Sequence, residues 1–352
     1  MTMAYVIIVH PSIMAAAGMP KGPMTVITAL VTGLFTLIMG LYTNLPFALA
    51  PAMGSNAFMA YTLVAGGVAT WQQALAMVFL SGIVFILLTV MGLREVIVKM
   101  VPTSIKVSIG SAVGLFIAQL GFSNAGFLKF ENGMLALANI RETGAILAII
   151  GFIIIICLMA LKVKGALFIG IIATSIIGIP MGITTIPDSF ISLPPSVSPI
   201  AFELDILGAL KFSFLPLMFV FFSGDFFSTM GTLLGVAGKA GLLDEDGNLP
   251  DIQKPFLVDG IATTVGALLG TSTVTTYIES ASGVEEGGRT GLTAIVAGIA
   301  FILMIFFTPI ATIIPSQATA PALILIGLLM MPAIQKINFD DFTESLPAFI
   351  TI

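Results

Sequence analysis

The sequence predicts an all-α polytopic membrane protein of about twelve spanning segments, and three observations carry that prediction. Hydrophobic residues make up 58% of the 352-residue chain and charged residues 9%, too few to cover a water-facing surface. Uncharged stretches such as 26–42 and 145–161, apolar on both flanks, reach the roughly 18 to 20 residues that a helix needs to cross the hydrocarbon core. These runs are continuous, whereas an outer-membrane barrel would alternate polar and apolar residues in segments of about ten.

Apolar runs between Pro, Gly and charge punctuation set the spans at 3–18, 23–43, 46–66, 72–93, 102–121, 143–161, 165–182, 208–237, 255–270, 273–284, 290–314 and 318–332. Residues 1–18 hold no Lys or Arg and lead directly into the next apolar run, so no cleaved signal is expected. A thirteenth apolar segment begins near Leu346, after the charged Asp340–Glu344 stretch, and both ends of the sequence read as abrupt. The connection 183–207 carries Asp188, Glu203 and Asp205 without a basic residue, and Pro194, Pro195 and Pro199 predict an extended surface segment. It divides the spans seven and five. Two further spans would make seven and seven, an odd-numbered unit whose second copy inserts upside down, which is a transporter signature. The expected organisation is a first repeat over 1–182, an extracytoplasmic connection over 183–207, and a second, C-terminally incomplete repeat over 208–352.

Orientation follows from Lys and Arg. With the N-terminus cytoplasmic, the inner connections hold Arg94, Lys99, Lys106, Lys162, Lys164, Lys239, Lys254, Arg289 and Lys336, and the outer ones Lys21, Lys129, Arg141 and Lys211. Basic residues concentrate on the cytoplasmic side of membrane proteins, so the excess predicts an inside N-terminus.

Two spans should be broken. Residues 44–56 combine Pro46, Pro51 and Gly54, too much Pro and Gly for an uninterrupted helix, and 270–280 is short, hydroxyl-rich and suited to extended backbone. These are spans three and ten, equivalent positions in the two halves. Open backbone at membrane depth leaves amides and carbonyls to be satisfied by protein, water or ligand, so a shared binding site is expected between them. Kinks that bind nothing are the competing explanation for either break alone.

Carboxylates inside apolar spans are expensive and usually functional. Asp225 and Glu279 are such residues, and no span supplies a Lys or Arg at similar depth; capping of a half-helix is the competing reading. Without a cation to hold them charged, both are candidates to carry a coupling proton. Asp259, about one turn into span nine near Lys254, reads instead as paired or hydrated at the membrane surface. Glu285, Glu286 and Arg289 read as a solvated loop, and Asp244–Gly247 lacks the ligand spacing of a calcium loop. His10 beside Pro11 is a candidate interhelical hydrogen-bond group or proton shuttle.

Several classes are excluded. One cysteine, Cys157, and one histidine cannot build a disulfide, a Cys/His metal cluster or a catalytic triad, so no metal site and no enzyme is expected. The net charge of −5 lies in the connections and gives no reason to expect nucleic-acid binding.

The segments Asn44–Phe58 and Gly270–Ser280, with Gly231–Ala237 after Asp225, Glu286–Thr293 after span ten and Asp340–Glu344, resemble the nucleobase:cation symporter-2 family, in its hypoxanthine/guanine (azaguanine-resistance) permease branch. The resemblance covers the whole chain. It implies fourteen spans in two inverted repeats, with spans 1–4 and 8–11 forming a core domain and spans 5–7 and 12–14 a gate domain. It further implies a cell-membrane importer of hypoxanthine and guanine, with adenine a further candidate, working by proton symport and alternating access with no cofactor beyond the proton. The substrate site implied takes Asn56 from span three, Asp225 from span eight and Glu279 from span ten. Phe58, Phe226 and Tyr277 are candidate walls, and Ser228 and Thr276 complete the set. The polar groups make chemical sense, since these purines present ring N–H donors and carbonyl acceptors that a carboxylate and an amide match. Ser228 departs from the family, which commonly has an acidic residue there, and spans 13–14 are missing. The expected partners are a purine base and the lipid bilayer, with a homodimer left open. An anion or other small-solute carrier of the same fold, or a non-transporting fragment, is the alternative.

Overall fold

The computed structural model describes residues 2–92, 102–131, 134–187, 189–245 and 248–352; Arg94, Lys99, Asp188, Asp246 and Gly247 of the readings above lie outside them. In chain order the helices are α1 (Val6–Met14), α2 (Lys21–Ile38), α3 (Met53–Ala57), α4 (Trp71–Val90), α5 (Thr103–Asn124), α6 (Thr143–Ala160), α7 (Ala166–Gly178) and α8 (Ile206–Ala209). They continue with α9 (Leu215–Ala240), α10 (Gln253–Leu269), α11 (Ser280–Glu285), α12 (Gly291–Leu303), α13 (Thr308–Ile313), α14 (Ser316–Met330) and α15 (Phe342–Thr351). Four short strands, β1 (Leu49–Pro51), β2 (Leu128–Glu131), β3 (Met134–Leu137) and β4 (Val274–Thr276), form the antiparallel pairs β1–β4 and β2–β3.

Among the described residues, five helical stretches are long and apolar enough to cross a membrane: Lys21–Thr43, Trp71–Val90, Thr143–Ala160, Phe212–Ala240 and Gly291–Ile313. Val6–Ala17, Ala166–Gly178 and Ser316–Met330 are apolar but shorter. Local sequence explains their ends. Helix α4 opens on a capping box in which the Thr70 hydroxyl accepts the Gln73 amide and the Gln73 side chain accepts the Thr70 amide, both at 3.3 Å. Helix α9 has Pro216 in its first turn and stops at the left-handed Gly241. Helix α2 runs on through a π-helical turn, Met39–Thr43, to Asn44, which holds the left-handed conformation (φ 55°) that asparagine tolerates.

The chain divides into two compact units. The first comprises Met1–Ser12, Val101–Ser192 and Pro309–Ile352. Its helices approach through small residues: a Cβ on Gly114 of α5 would lie 2.8 Å from the Gly327 carbonyl oxygen of α14, and one on Gly121 would lie 2.9 Å from that of Ala320. Gly151 of α6 meets Thr174 of α7 in the same way. Where lipid tails are as apolar as the side chains, close van der Waals approach replaces the hydrophobic effect as the force between helices.

The second unit comprises Ile13–Met100 and Leu193–Thr308. Here α2 and α12 cross at two glycine pairs, Gly33 with Gly298 and Gly40 with Gly291, so tightly that a Cβ on Gly40 would stand 2.5 Å from the Gly291 carbonyl oxygen. Helices α4 and α10 meet at Gly82 and Gly260. Phe85 of α4 lies among Phe222, Phe226 and Phe256 at centroid distances of 6.2, 5.5 and 5.7 Å, joining α4, α9 and α10 in one aromatic cluster.

Candidate functional site

In the second unit two buried extended segments pair. Leu49, Ala50 and Pro51 pair antiparallel with Thr276, Thr275 and Val274. Hydrogen bonds from the Ala52 amide to the Thr273 carbonyl (2.8 Å) and from the Tyr277 amide to the Ala48 carbonyl (2.9 Å) extend the ladder. The two segments thus satisfy each other's backbone where lipid cannot. Side chains complete the accounting. The Thr36 hydroxyl of α2 accepts the Leu49 amide at 3.0 Å and donates to the Leu49 carbonyl at 3.2 Å. Ser280 Oγ accepts the Ala48 amide at 3.0 Å, and the Tyr277 hydroxyl donates to the Pro51 carbonyl at 2.5 Å.

Behind β4, helices α9 and α10 contribute matching pairs four residues apart, Asp225 with Thr229 and Asp259 with Thr263, a spacing that puts both members on one helical face. The bonds cross between the helices. Thr263 Oγ1 lies 2.7 Å from Asp225 Oδ2, and Thr229 Oγ1 donates to Asp259 Oδ2 at 2.7 Å. Each threonine also touches β4: Thr229 Oγ1 lies 2.7 Å from Thr275 Oγ1, and Thr263 Oγ1 lies 3.0 Å from both the amide and the carbonyl of Val274. Thr276 Oγ1 adds a bond to Asp259 Oδ1 at 3.2 Å. A hydroxyl has one hydrogen, and Thr263 can give it to Asp225 or to the Val274 carbonyl. In the second case the 2.7 Å contact holds only if Asp225 supplies the hydrogen, so the strand's side-chain anchor is sensitive to the protonation of this carboxyl.

Several buried polar atoms here have no partner. Asn56 is wholly buried on α3, one turn beyond β1, with neither Nδ2 nor Oδ1 hydrogen-bonded, and Asp225, 2% exposed, leaves Oδ1 unpaired. Ser272 Oγ and Thr273 Oγ1, leading into β4, are in the same condition. Helix α3 faces α9 across Ser55 and Gly224, and Phe58 meets Phe221 edge-on at 5.4 Å. These are donors and acceptors that the protein itself leaves unused.

Of the other expected residues, Thr276 and Tyr277 are buried at the strand crossing and Glu279 is half-buried at the N-cap of α11. Phe226 is packed in the phenylalanine cluster with Phe85, Phe222, Phe227 and Phe256. Ser228, one turn after Asp225, is exposed. Among the described residues no three His, Cys, Asp or Glu side chains converge as metal ligands do.

Asp259 corrects the sequence reading. The expected surface pairing with Lys254 does not occur: Lys254 bonds Asp251 at 2.8 Å, and Asp259 is fully buried, held by Thr229 and Thr276. Asp251 is the nearer partner, three residues before Lys254, and the next turns of α10 carry Asp259 inward. The signal that could have found it is the repeated Asp-x-x-x-Thr spacing at 225–229 and 259–263.

The model of the xanthine/uracil permease family, described as "Permease family", matches residues 1–352. The chain belongs to this permease family. It is therefore a multi-pass membrane transporter and not an enzyme. The permease is 41% identical over 352 residues to adenine permease AdeQ of Escherichia coli, covering 100% of this chain and 79% of that protein. It is 38% identical over 360 residues to guanine/hypoxanthine permease PbuO of Bacillus subtilis, covering 100% and 83%. Its fold is shared with the transmembrane domain of the cyanobacterial bicarbonate transporter BicA (TM-score 0.73, 16% identity, covering 98% of this chain and 91% of that one). The permease is thus a helical inverted-repeat protein with little sheet.

Proposed function

We propose that this permease imports purine nucleobases across the cell membrane by proton symport with alternating access, its N-terminus cytoplasmic. Hypoxanthine and guanine, and adenine beside them, are the substrates to test first, because relatives about two fifths identical along the whole chain carry those names. The observation that carries the reading is the group of unpartnered buried atoms, Asn56 Nδ2 and Oδ1 with Asp225 Oδ1. A purine has ring N–H groups, ring nitrogens and, in hypoxanthine and guanine, a carbonyl, which suit an amide and a carboxyl. A site built this way rejects bases that lack the matching donor, since its own groups would stay unpaired.

Proton coupling is supported by chemistry. The Thr229 and Thr263 hydroxyls beside Asp259 and Asp225 can donate to an ionised carboxyl or accept from a protonated one. Glu279, beside Tyr277, is the second candidate proton carrier. The division into core and gate is proposed on the same footing; all eight candidate residues fall in the unit formed by Ile13–Met100 and Leu193–Thr308. An anion carrier is not favoured, because the bicarbonate transporter shares the fold at 16% identity whereas nucleobase permeases share the sequence.

The test is calorimetric binding of hypoxanthine, guanine, adenine and uracil to the purified chain, with Glu279→Gln beside it across pH. Saturable binding of a purine that weakens at least about a hundredfold in the variant, the loss of roughly 3 kcal/mol expected for a charged hydrogen bond, is the expected result. A folded wild type that binds none of the four bases would sink the assignment.

A further inference from the structure

The connection before α8 does more than join the two halves of the chain. Ile200 is wholly buried, and its Cγ2 would lie 2.1 Å from a Cβ on Gly270, the C-cap of α10. Gly270 holds φ +107°, a conformation that side-chain-bearing residues avoid, so both backbone and space require glycine there. Two residues on, the Phe202 amide donates to the Leu268 carbonyl at 2.7 Å. That carbonyl belongs to the last turn of α10, where helix carbonyls lack intrahelical partners. Phe202 makes this bond in a left-handed conformation (φ 65°) that is uncommon for any residue but glycine, which marks the geometry as imposed by the contact. The turn so closed leads through the buried Thr271, Ser272 and Thr273 into β4.

The segment is itself tied down. Asp205 Oδ2 accepts from Gln73 Nε2 of α4 at 3.1 Å, Asp205 Oδ1 accepts from the Gly208 amide at 2.8 Å, and the Asp205 amide donates to the Gln72 carbonyl at 3.3 Å. The Gly208 amide, the Gln73 amide group and the Lys211 charge hold the Asp205 carboxyl below its ordinary range, so it is ionised at neutral pH. A Cβ on Gly208 would meet Asp205 Oδ2 and Gln73 Nε2, so a side chain there would push the two groups out of this contact.

We propose that Ile200–Gly208 is a latch that positions the substrate site: Ile200 and Phe202 hold the turn between α10 and β4, and Asp205 with Gln73 anchors the latch to α4. Ile200 and Asp205 are positioning residues, acting on the ligand through β4. The effect on binding rests on the purine reading above; the effect on the strand does not.

The experiment compares wild type, Ile200→Ala, Ile200→Val, Asp205→Ala, Gln73→Ala and the double variant Asp205→Ala/Gln73→Ala in lipid nanodiscs. It measures hydrogen exchange over residues 270–277 and binding of hypoxanthine and guanine. In Ile200→Ala, exchange over 270–277 accelerates at least about tenfold while the α2–α12 crossing keeps its wild-type rate, and purine affinity falls about tenfold; Ile200→Val restores both. Asp205→Ala and Gln73→Ala act in the same direction, and the double variant does no more than the stronger single one, as partners in one contact should. Unchanged exchange over 270–277 in Ile200→Ala, or acceleration spread evenly over the whole unit, overturns the latch. If wild type binds neither base, the purine reading fails by itself, and the exchange pattern still decides the latch.

Discussion

A buried amide group with neither nitrogen nor oxygen hydrogen-bonded to protein, as at Asn56, contributes nothing to the fold's own hydrogen bonding and costs about 1–3 kcal/mol to bury. Replacement by a side chain of similar size and no polar atoms should therefore help folding. Asn56→Leu is expected to raise unfolding stability by about 1 kcal/mol, seen as a higher Tm in detergent, while purine binding is lost. A lower Tm would mean that the amide serves the fold, and would remove it from the site. Thr263 predicts the opposite behaviour, because its hydroxyl serves Asp225 and both backbone groups of Val274. Thr263→Val should cost about 1–3 kcal/mol in the same thermal assay, and Thr263→Ser, which keeps the hydroxyl, should recover most of it; equal loss in both would trace the effect to the methyl packing instead. These residues differ in how legible they are in the sequence. A carboxylate in an apolar run stands out, as Asp225 does, but a threonine in a membrane helix commonly bonds its own helix backbone, as Thr28 does to Met24. Only the third dimension reveals that Thr229 and Thr263 reach across to the neighbouring helix, and Asp259 was hidden by a lysine that turned to Asp251.

At the scale of elements, the glycine crossing of α2 and α12 sets a sharper constraint than helix propensity. Gly40→Ala puts a methyl group 2.5 Å from the Gly291 carbonyl oxygen, where the neighbour is backbone and cannot rotate away. The helices must separate, at a cost of about 1–3 kcal/mol. Gly235 of α9 is exposed with nothing within 4 Å of its added Cβ, so Gly235→Ala should stabilise by about 0.5–1 kcal/mol through propensity alone. Opposite signs for two identical substitutions, read by thermal unfolding in one detergent, are the expected outcome; destabilisation of similar size in both would refute the crossing geometry. The helices themselves were legible because continuous apolar runs need no tertiary context. The extended segments around 49–51 and 274–276 fall where Pro, Gly and hydroxyl residues accumulate, yet their pairing register was not legible. A three-residue strand of Leu, Ala and Pro has no period to read, and its partner lies more than two hundred positions away. The connection read as an extended surface segment because its prolines dominate, which concealed the burial of Ile200.

For the whole molecule, the remaining question of orientation has a direct electrostatic argument. Lys and Arg flanking a span resist translocation, and the nine basic residues on one set of connections against four on the other predict a cytoplasmic N-terminus. Two positions on each side suffice for a test. Cys157, the one cysteine, is replaced by serine, and single cysteines are introduced at Lys21, Lys129, Lys164 or Lys239. Lys239 is exposed and pairs with the exposed Glu285 at 3.1 Å across α9 and α11, a surface contact of the kind typically worth under about 1 kcal/mol, so its loss should not disturb the fold. In intact cells a membrane-impermeant maleimide should label the cysteines at 21 and 129 and spare those at 164 and 239, which react once the membrane is opened. The reverse pattern would place the N-terminus outside the cell. Labelling of all four from outside would place 164 and 239 on the same face as 21 and 129, and would refute the span assignment read from the sequence.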